Sequence, residues 1–114
     1  MNKKFLALGR MKAGERNKTE LAYENHLEVR KQLHEILWYK FEGIKLRLAD
    51  NCFYCPDFVV MLANGEMEMH EVKSHWMDGA KDRIKIASAQ FPFRFIAVFA
   101  ESKKNGGGWR IEEF

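Results

Sequence analysis

An Asn-Gly dipeptide, Asn64-Gly65, constrains the fold of this 114-residue chain more than any other feature. It lies between an apolar run, 59–62, and a run of strand-forming residues, 69–73. Asn-Gly between two such runs is a strong short-range signal for a β-hairpin. The two runs are therefore expected to pair as neighbouring antiparallel strands.

The length of the turn decides which side chains share a face, because successive residues of a strand point to opposite faces. A two-residue loop would set Asp57 opposite Val72, on the wrong face for contact with Glu71. A three-residue loop sets Asp57 directly opposite Glu71, and Gly65 then takes the left-handed position at its end. We predict the three-residue loop, or a bulge with the same parity, so that the two β-carbons lie about 5 Å apart.

Two carboxylates that close repel each other unless a cation lies between them. Mg²⁺ and Mn²⁺ take oxygen ligands and keep several waters, so Asp57 and Glu71 are suited to hold either ion. Such an ion acidifies a bound water and neutralises charge on a phosphate. Lys73 shares the face of Glu71, about 7 Å along the strand. It is placed to orient the attacking water or to stabilise charge that develops on phosphorus.

The segments Pro56-Asp57 and Glu71-Val72-Lys73 resemble the signature of the PD-(D/E)xK nuclease superfamily, and within it a group of small phage-encoded endonucleases. The resemblance covers roughly residues 17–99 and departs from the family at Ser74, where a glycine often follows the lysine. Further similar segments are Thr19-Glu20, Trp38-Tyr39, Tyr54-Cys55-Pro56-Asp57-Phe58 and Phe91-Pro92.

The resemblance implies a site in which Asp57 and Glu71, with the Val72 carbonyl, hold Mg²⁺, for which Mn²⁺ can substitute. It implies that Lys73 assists the attacking water. It also implies that Glu20, in the first helix, adds a metal ligand or orients the lysine. Glu20 has a structural interpretation as well, because Asn17 and Glu20 have the spacing of a helix capping box. Capping and catalysis both stay open for Glu20.

The hydrophobic periodicity predicts two helices and several strands in a mixed α/β (α+β) fold. Helices are predicted over 18–34 and 79–90, and strands over 36–42, 44–48, 93–99 and 109–114, besides the hairpin. The strand over 93–99 should lie parallel to the Glu71 strand, because a helix connects the two. By resemblance, this is a restriction-endonuclease-like mixed sheet sandwiched by the N-terminal helix and the crossover helix. Residues 1–16 are predicted to form a basic flexible arm, and 17–114 a single nuclease-like domain.

Composition adds weaker constraints. The net charge of +3 and the pI of about 8.9 are compatible with nucleic-acid binding without establishing it. The residues expected to contact DNA are Lys45, Arg47, Lys81, Arg83 and Lys85. No apolar run approaches the ~20 residues that span a bilayer. We therefore expect no membrane association and a cytoplasmic location, which is the host cytoplasm if the chain is phage-encoded.

Cys52 and Cys55 form a C-x-x-C pair, which occurs in redox and zinc sites. A redox pair is expected at the start of a helix, whereas these residues flank a strand. None of the four histidines has a spacing that would complete a zinc site. We interpret the pair as two reduced thiols beside the site.

These patterns predict a metal-dependent endonuclease that hydrolyses DNA phosphodiester bonds, with branched or junction DNA among its candidate substrates. One alternative is a nucleic-acid-binding protein that keeps the fold without turnover. Another is a structural or protein-interaction module in which Arg or Lys neutralises the two acids. Cutting both strands of a duplex requires two active sites, so the nuclease hypothesis is compatible with a homodimer.

Overall fold

The computed structural model describes residues 14–114, so most of the predicted basic arm lies outside the described residues. In chain order the elements are α1 (Lys18–Gln32), β1 (Ile36–Phe41), β2 (Leu46–Ala49), β3 (Cys52–Tyr54), β4 (Phe58–Leu62), β5 (Met67–Lys73), α2 (Ala80–Gln90), β6 (Arg94–Ala100), a single 3₁₀ turn (Lys103–Asn105) and β7 (Trp109–Glu113). Neither helix within 14–114 is long and apolar enough to cross a membrane.

Five strands form one mixed sheet in the order β1-β4-β5-β6-β7. Strand β4 pairs antiparallel with both β1 and β5, whereas β6 runs parallel to β5 after the crossover through α2. Strand β7 returns antiparallel on β6 and forms one edge of the sheet. The predicted mixed α/β class, the parallel crossover and the C-terminal edge strand are confirmed.

Each face of this sheet supports its own apolar core, because side chains alternate along every strand. On one face, Tyr23 and Leu27 of α1 pack on side chains from β1, β4, β5 and β6. On the other face, Ile84 and Ala87 of α2 pack with Met69 of β5 and with the short hairpin β2-β3. Odd-numbered residues of β5 therefore point toward α2, and even-numbered ones point toward α1.

The hairpin β2-β3 forms a separate two-stranded sheet and does not extend the main one. Leu46 and Leu48 are buried and Arg47 is exposed, so the predicted alternation of this strand is confirmed. Pro56 lies between β3 and β4 and has no N–H to donate to a ladder. The chain breaks there, so β2-β3 packs over α2 while β4 enters the main sheet.

Both helices are shorter than the sequence predicts. Helix α1 ends at Gln32, not at residue 34, and His34 adopts a left-handed conformation with φ of 63°. A left-handed residue stops the helical hydrogen-bond ladder and turns the chain into β1. Helix α2 starts at Ala80 after Gly79, whose φ is 74° and which provides no side-chain cap.

Candidate functional site

The β4-β5 hairpin has the geometry on which the candidate site depends. The register of the two strands leaves three residues, 63–65, in the loop. Gly65 has φ of 90°, a left-handed conformation that glycine adopts without steric cost. The predicted three-residue loop is confirmed, and continuing the same register one residue before β4 sets Asp57 opposite Glu71.

Fixed hydrogen bonds orient both carboxyl groups. Asp57 Oδ2 accepts a hydrogen bond of 2.8 Å from the backbone N–H of Val72. The Tyr54 hydroxyl donates to Glu71 Oε1 at 2.7 Å. Lys73 Nζ lies 3.3 Å from Glu71 Oε2, and both of these side chains are largely shielded from solvent. The two acids and the lysine are thus held together on the α2 face of β5.

The electrostatics of this cluster oppose full ionisation. Burial, followed by the charge on Glu71, raises the pKa of Asp57 to about 8, although the bond from Val72 acts in the other direction. Burial also raises the pKa of Glu71, against the opposing effects of the Tyr54 hydroxyl and Lys73. One lysine therefore does not balance the negative charge that the two acids would carry together.

Glu20 takes part in both of the roles that the sequence leaves open. Its backbone N–H donates to Asn17 Oδ1 at 2.8 Å, and its own carboxylate accepts from the Asn17 N–H at 2.9 Å. This is the predicted capping box. At the same time, the charge on Glu20 raises the pKa of Asp57 and of Glu71. The capped end of α1 therefore brings a third acid into the electrostatic neighbourhood of the site.

The carboxylates of the site are compatible with a magnesium ion that keeps several water ligands, but not with a metal site whose ligands all come from the protein. Within residues 14–114, no group of three or more His, Cys, Asp or Glu side chains is placed to hold a metal ion. Mg²⁺ commonly uses one or two carboxylates and fills its other positions with water. Asp57 and Glu71 match that requirement, because they are paired, hard oxygen donors whose mutual repulsion a cation would relieve.

A groove of about 570 Å³ opens beside Glu71 and Lys73. We call it the Glu71 groove. Its wall is formed by Lys45, Phe53, Tyr54, Cys55, Glu71, Lys73, Asp78, Gly79, Ala80 and Arg83. The groove lies where the β2-β3 hairpin faces the start of α2, so cationic side chains from both sides line it together with the acids Glu71 and Asp78.

The five predicted DNA-contacting residues divide into two groups. Lys45 and Arg83 line the Glu71 groove. Lys81 instead donates to Glu112 at 2.8 Å, Arg47 lies 3.9 Å from Asp50, and Lys85 is exposed on α2 outside the groove wall. The structure therefore brings two of the five cations to the site, and the sequence pattern did not distinguish them from the rest.

A smaller cavity of about 220 Å³ lies on the other side of Lys73. Asn17 and Thr19, at the beginning of α1, form part of its wall together with Ser74 and His75. Lys73 borders both this cavity and the Glu71 groove. The two cavities together therefore leave room for an extended ligand to run past the lysine, from the beginning of α1 to the hairpin β2-β3.

The opposite face of β5 contains a second polar cluster, which the sequence analysis missed. The Tyr23 hydroxyl and His70 Nδ1 are 2.6 Å apart, and His70 Nε2 lies 2.9 Å from Glu68 Oε1. Glu68 Oε2 accepts from Arg94 at 3.0 Å. We call these four residues the Glu68 network. The signal for it was two polar residues, Glu68 and His70, at alternate positions of an otherwise apolar strand.

Another cavity, of about 620 Å³ and so slightly larger than the Glu71 groove, borders this network rather than the acid pair. Its charged groups are satisfied, since Arg30 pairs with Glu35 at 2.9 Å and Arg94 pairs with Glu68 and Glu113. Size alone would favour this cavity as the functional site. The raised pKa of Glu71, which lines the Glu71 groove and pairs with Asp57, favours that groove instead, because perturbed titratable groups in a cleft are typical of functional sites.

Cys52 and Cys55 are free thiols in the structure. Cys55 lines the Glu71 groove. Burial, followed by the charge on Glu42, raises the pKa of the Cys55 thiol. A raised pKa disfavours the thiolate that nucleophilic or redox chemistry needs.

Comparison of the chain with family models, with curated proteins and with solved structures finds no match.

Proposed function

We propose that this protein is a metal-dependent endonuclease that hydrolyses DNA phosphodiester bonds and has a restriction-endonuclease-like core. The observation that carries the proposal is the pairing of Asp57 with Glu71, whose carboxylate lies beside Lys73 at the wall of a cation-lined groove. The hairpin register, the Tyr54 hydroxyl and the Val72 N–H all hold this arrangement in place. A folded chain keeps two such acids together, at an electrostatic cost, when their charge has a use.

In this proposal, Asp57, Glu71 and the Val72 carbonyl would hold Mg²⁺ or Mn²⁺, which when bound would supply an acidified water and neutralise charge on the phosphate. Water attack at phosphorus breaks one P–O ester bond and leaves a phosphate on one product and a hydroxyl on the other. Glu20 adds negative charge that favours cation binding.

Lys73 is the group that positions the reacting atoms. Its ammonium is fixed 3.3 Å from Glu71 Oε2 and 5.5 Å from the centre of the Trp76 ring. Held in this way, it orients the attacking water and stabilises the charge that develops on the phosphate oxygens. Lys45 and Arg83 line the same groove, and in this proposal they bind neighbouring phosphates of the same strand.

One observation favours the alternative of a nucleic-acid-binding protein without turnover. The Lys73–Glu71 ion pair already gives Glu71 a cationic partner, so part of the site is neutralised in the absence of metal. In that case the groove binds nucleic acid through its cations, and no bond is broken.

A cleavage panel separates the two functions. Labelled linear duplex, plasmid, single-stranded, flapped and four-way-junction DNA are incubated with the wild-type protein in Mg²⁺, Mn²⁺ or EDTA. Asp57→Ala, Glu71→Ala and Lys73→Ala are tested beside Glu66→Ala, which removes an exposed acid from the same hairpin. Circular dichroism establishes that each variant is folded.

We expect metal-dependent cutting that is lost in the three site variants and kept in the Glu66 variant. Wild-type protein that binds DNA in every metal but never cuts it would contradict the proposal and support the binding function. Cutting that survives in folded Asp57 and Glu71 variants would also contradict it, because the activity would then belong to other residues.

A further inference from the structure

An exposed aromatic ring lies within the Glu71 groove. Phe53 is on β3, where its neighbour Tyr54 points into the core and Phe53 points outward. Phe53 remains 37% exposed, although burying a phenylalanine side chain normally stabilises a protein. The ring therefore forms part of the groove surface that a ligand meets.

The ring is held on a rigid support. Phe53 pairs with Arg47 across the β2-β3 hairpin. On its other face, the hairpin buries Leu46, Leu48 and Tyr54 in the core that contains α2. Because the Tyr54 hydroxyl also bonds Glu71, the backbone that carries Phe53 is tied directly to the acid pair.

A cation lies over this ring. Lys45 Nζ is 4.4 Å from the centre of the Phe53 ring, and both residues line the groove. An ammonium over an exposed ring gains less than a nucleobase stacked on the same ring. A base can therefore replace the ammonium, which is then free to pair with the phosphate attached to that base.

The dimensions of the groove suit one nucleotide. Its volume of about 570 Å³ falls within the roughly 300–1,000 Å³ of typical small-ligand sites. Bases inside a continuous duplex have both faces covered by their neighbours, so only an unpaired or extruded base can offer a face to Phe53. The combination of aromatic ring, cation and acid pair fits a single-stranded nucleotide better than an intact duplex.

We propose that Phe53 and Lys45 form a recognition site for an unpaired nucleotide next to the phosphate that is cut, with Phe53 stacking on the base and Lys45 binding its phosphate. This inference rests on the proposed nuclease function and names its substrate class. The preferred DNA carries unpaired nucleotides, as in flaps, branches or single strands. Continuous duplex binds through the phosphate contacts alone.

The test measures stacking and binding without cleavage. A flapped DNA with 2-aminopurine at an unpaired position, and a fully paired duplex, are titrated in EDTA with the wild-type protein, Phe53→Leu, Phe53→Trp and Lys45→Gln. Trp38→Leu is the matched control, because Trp38 is an aromatic of similar exposure (40%) on a different strand, β1.

We expect the wild-type protein to quench the 2-aminopurine fluorescence. Phe53→Leu should lose the quenching and bind the flap about tenfold more weakly, with duplex affinity unchanged. Phe53→Trp should restore both signals, and Trp38→Leu should resemble wild type. Lys45→Gln should reduce the slope of log affinity against log salt by about one.

Equal flap affinity and equal quenching in wild type and Phe53→Leu would overturn this inference while leaving metal-dependent cutting intact. The converse outcome also separates the two proposals. Quenching that depends on Phe53, in a protein that never cuts any DNA in Mg²⁺ or Mn²⁺, would support the nucleotide site and contradict the nuclease function.

Discussion

Strand β5 carries acids on both of its faces, and the two faces neutralise them very differently. Toward α1, Glu68 is buried with His70, and the hydrogen bond from His70 is the main cause that lowers the Glu68 pKa. Toward α2, burial raises the pKa of both Asp57 and Glu71, even with Lys73 beside them. One face of β5 thus holds an acid that stabilises the fold, and the other face holds Glu71, which together with Asp57 of the neighbouring chain segment costs stability.

This difference separates structure from function. The Glu68 network is a continuous run of hydrogen bonds: Glu68 accepts from Arg94 and bonds His70, and Tyr23 bonds the other nitrogen of the His70 ring. Buried polar groups that satisfy one another need no ligand. The negative charge of the Asp57–Glu71 pair is not balanced in this way, so it is available to bind a cation from solvent.

The largest expected effect on stability comes from disrupting the Glu68 network on the α1 face of β5. Glu68→Ala removes the acceptor of both His70 and Arg94, and loss of one member of such a buried network costs about 3 kcal/mol. Urea denaturation measures this change in the free energy of unfolding. Glu66→Ala, in the exposed loop region of the same hairpin, should change it by less than about 0.5 kcal/mol.

Retention of wild-type stability in Glu68→Ala would contradict the account of the α1 face. The substitution should leave DNA affinity unchanged when the concentrations of folded protein are equal, because Glu68 does not line the Glu71 groove. A specific loss of DNA binding in folded Glu68→Ala would show that the two faces do not divide structure from function.

A smaller and opposite effect is expected at the acid pair. Asp57→Asn keeps an acceptor for the Val72 N–H and removes the charge, so it should stabilise the metal-free protein. The folded state raises the pKa of Asp57 to about 8, above its value in the unfolded chain. Ionised Asp57 therefore lowers the free energy of unfolding at any pH above the unfolded pKa, and this loss grows until the pH passes about 8. We expect a gain of about 2 kcal/mol at pH 8, below the full value of the shift, because Asp57 is only partly buried.

Urea denaturation in EDTA between pH 4 and pH 9 measures both the sign of this stability change and the pH range over which it develops. The stability difference between Asp57→Asn and wild type should be near zero at pH 4 and should widen toward pH 8. A variant that is less stable than wild type across this range would show that the Asp57 charge is already compensated within the protein.

The smallest stability effect is expected for two tyrosines that bond side chains on opposite faces of β5. Tyr54→Phe removes the donor to Glu71, and Tyr23→Phe removes the partner of His70. Each should change the free energy of unfolding by about 1 kcal/mol. Only Tyr54→Phe should also lower the rate of metal-dependent cleavage, because only Tyr54 contacts the acid pair. Equal cleavage rates in the two variants would contradict the separate roles.

Features set by local chemistry were predictable from the sequence. Asn64-Gly65 determines the turn through backbone conformation, and Asn17 with Glu20 determines the cap through side chains three residues apart. The predicted meeting of Asp57 and Glu71 followed from that turn, because strand parity extends a local signal along the hairpin. The candidate acid pair was therefore accessible without a structure.

Features set by packing between distant segments were not predictable. Tyr23 and His70 are 47 positions apart, and no spacing pattern joins them. The sequence pattern also could not show that Lys81 bonds Glu112 while Arg83 lines the groove, because that depends on how α2 sits against β7. The separation of β2-β3 from the main sheet likewise depends on the break at Pro56 and on packing against α2.

The central claim is that the Asp57–Glu71 pair binds a divalent cation, whereas Glu68 does not. Titration of Mn²⁺, followed by the electron paramagnetic resonance signal of the free ion, measures binding directly in wild type, Glu71→Gln and Glu68→Gln. We predict a site in the wild-type protein that Glu71→Gln weakens at least about tenfold and that Glu68→Gln retains. Equal Mn²⁺ binding by wild type and Glu71→Gln, or no binding by wild type, would contradict the account.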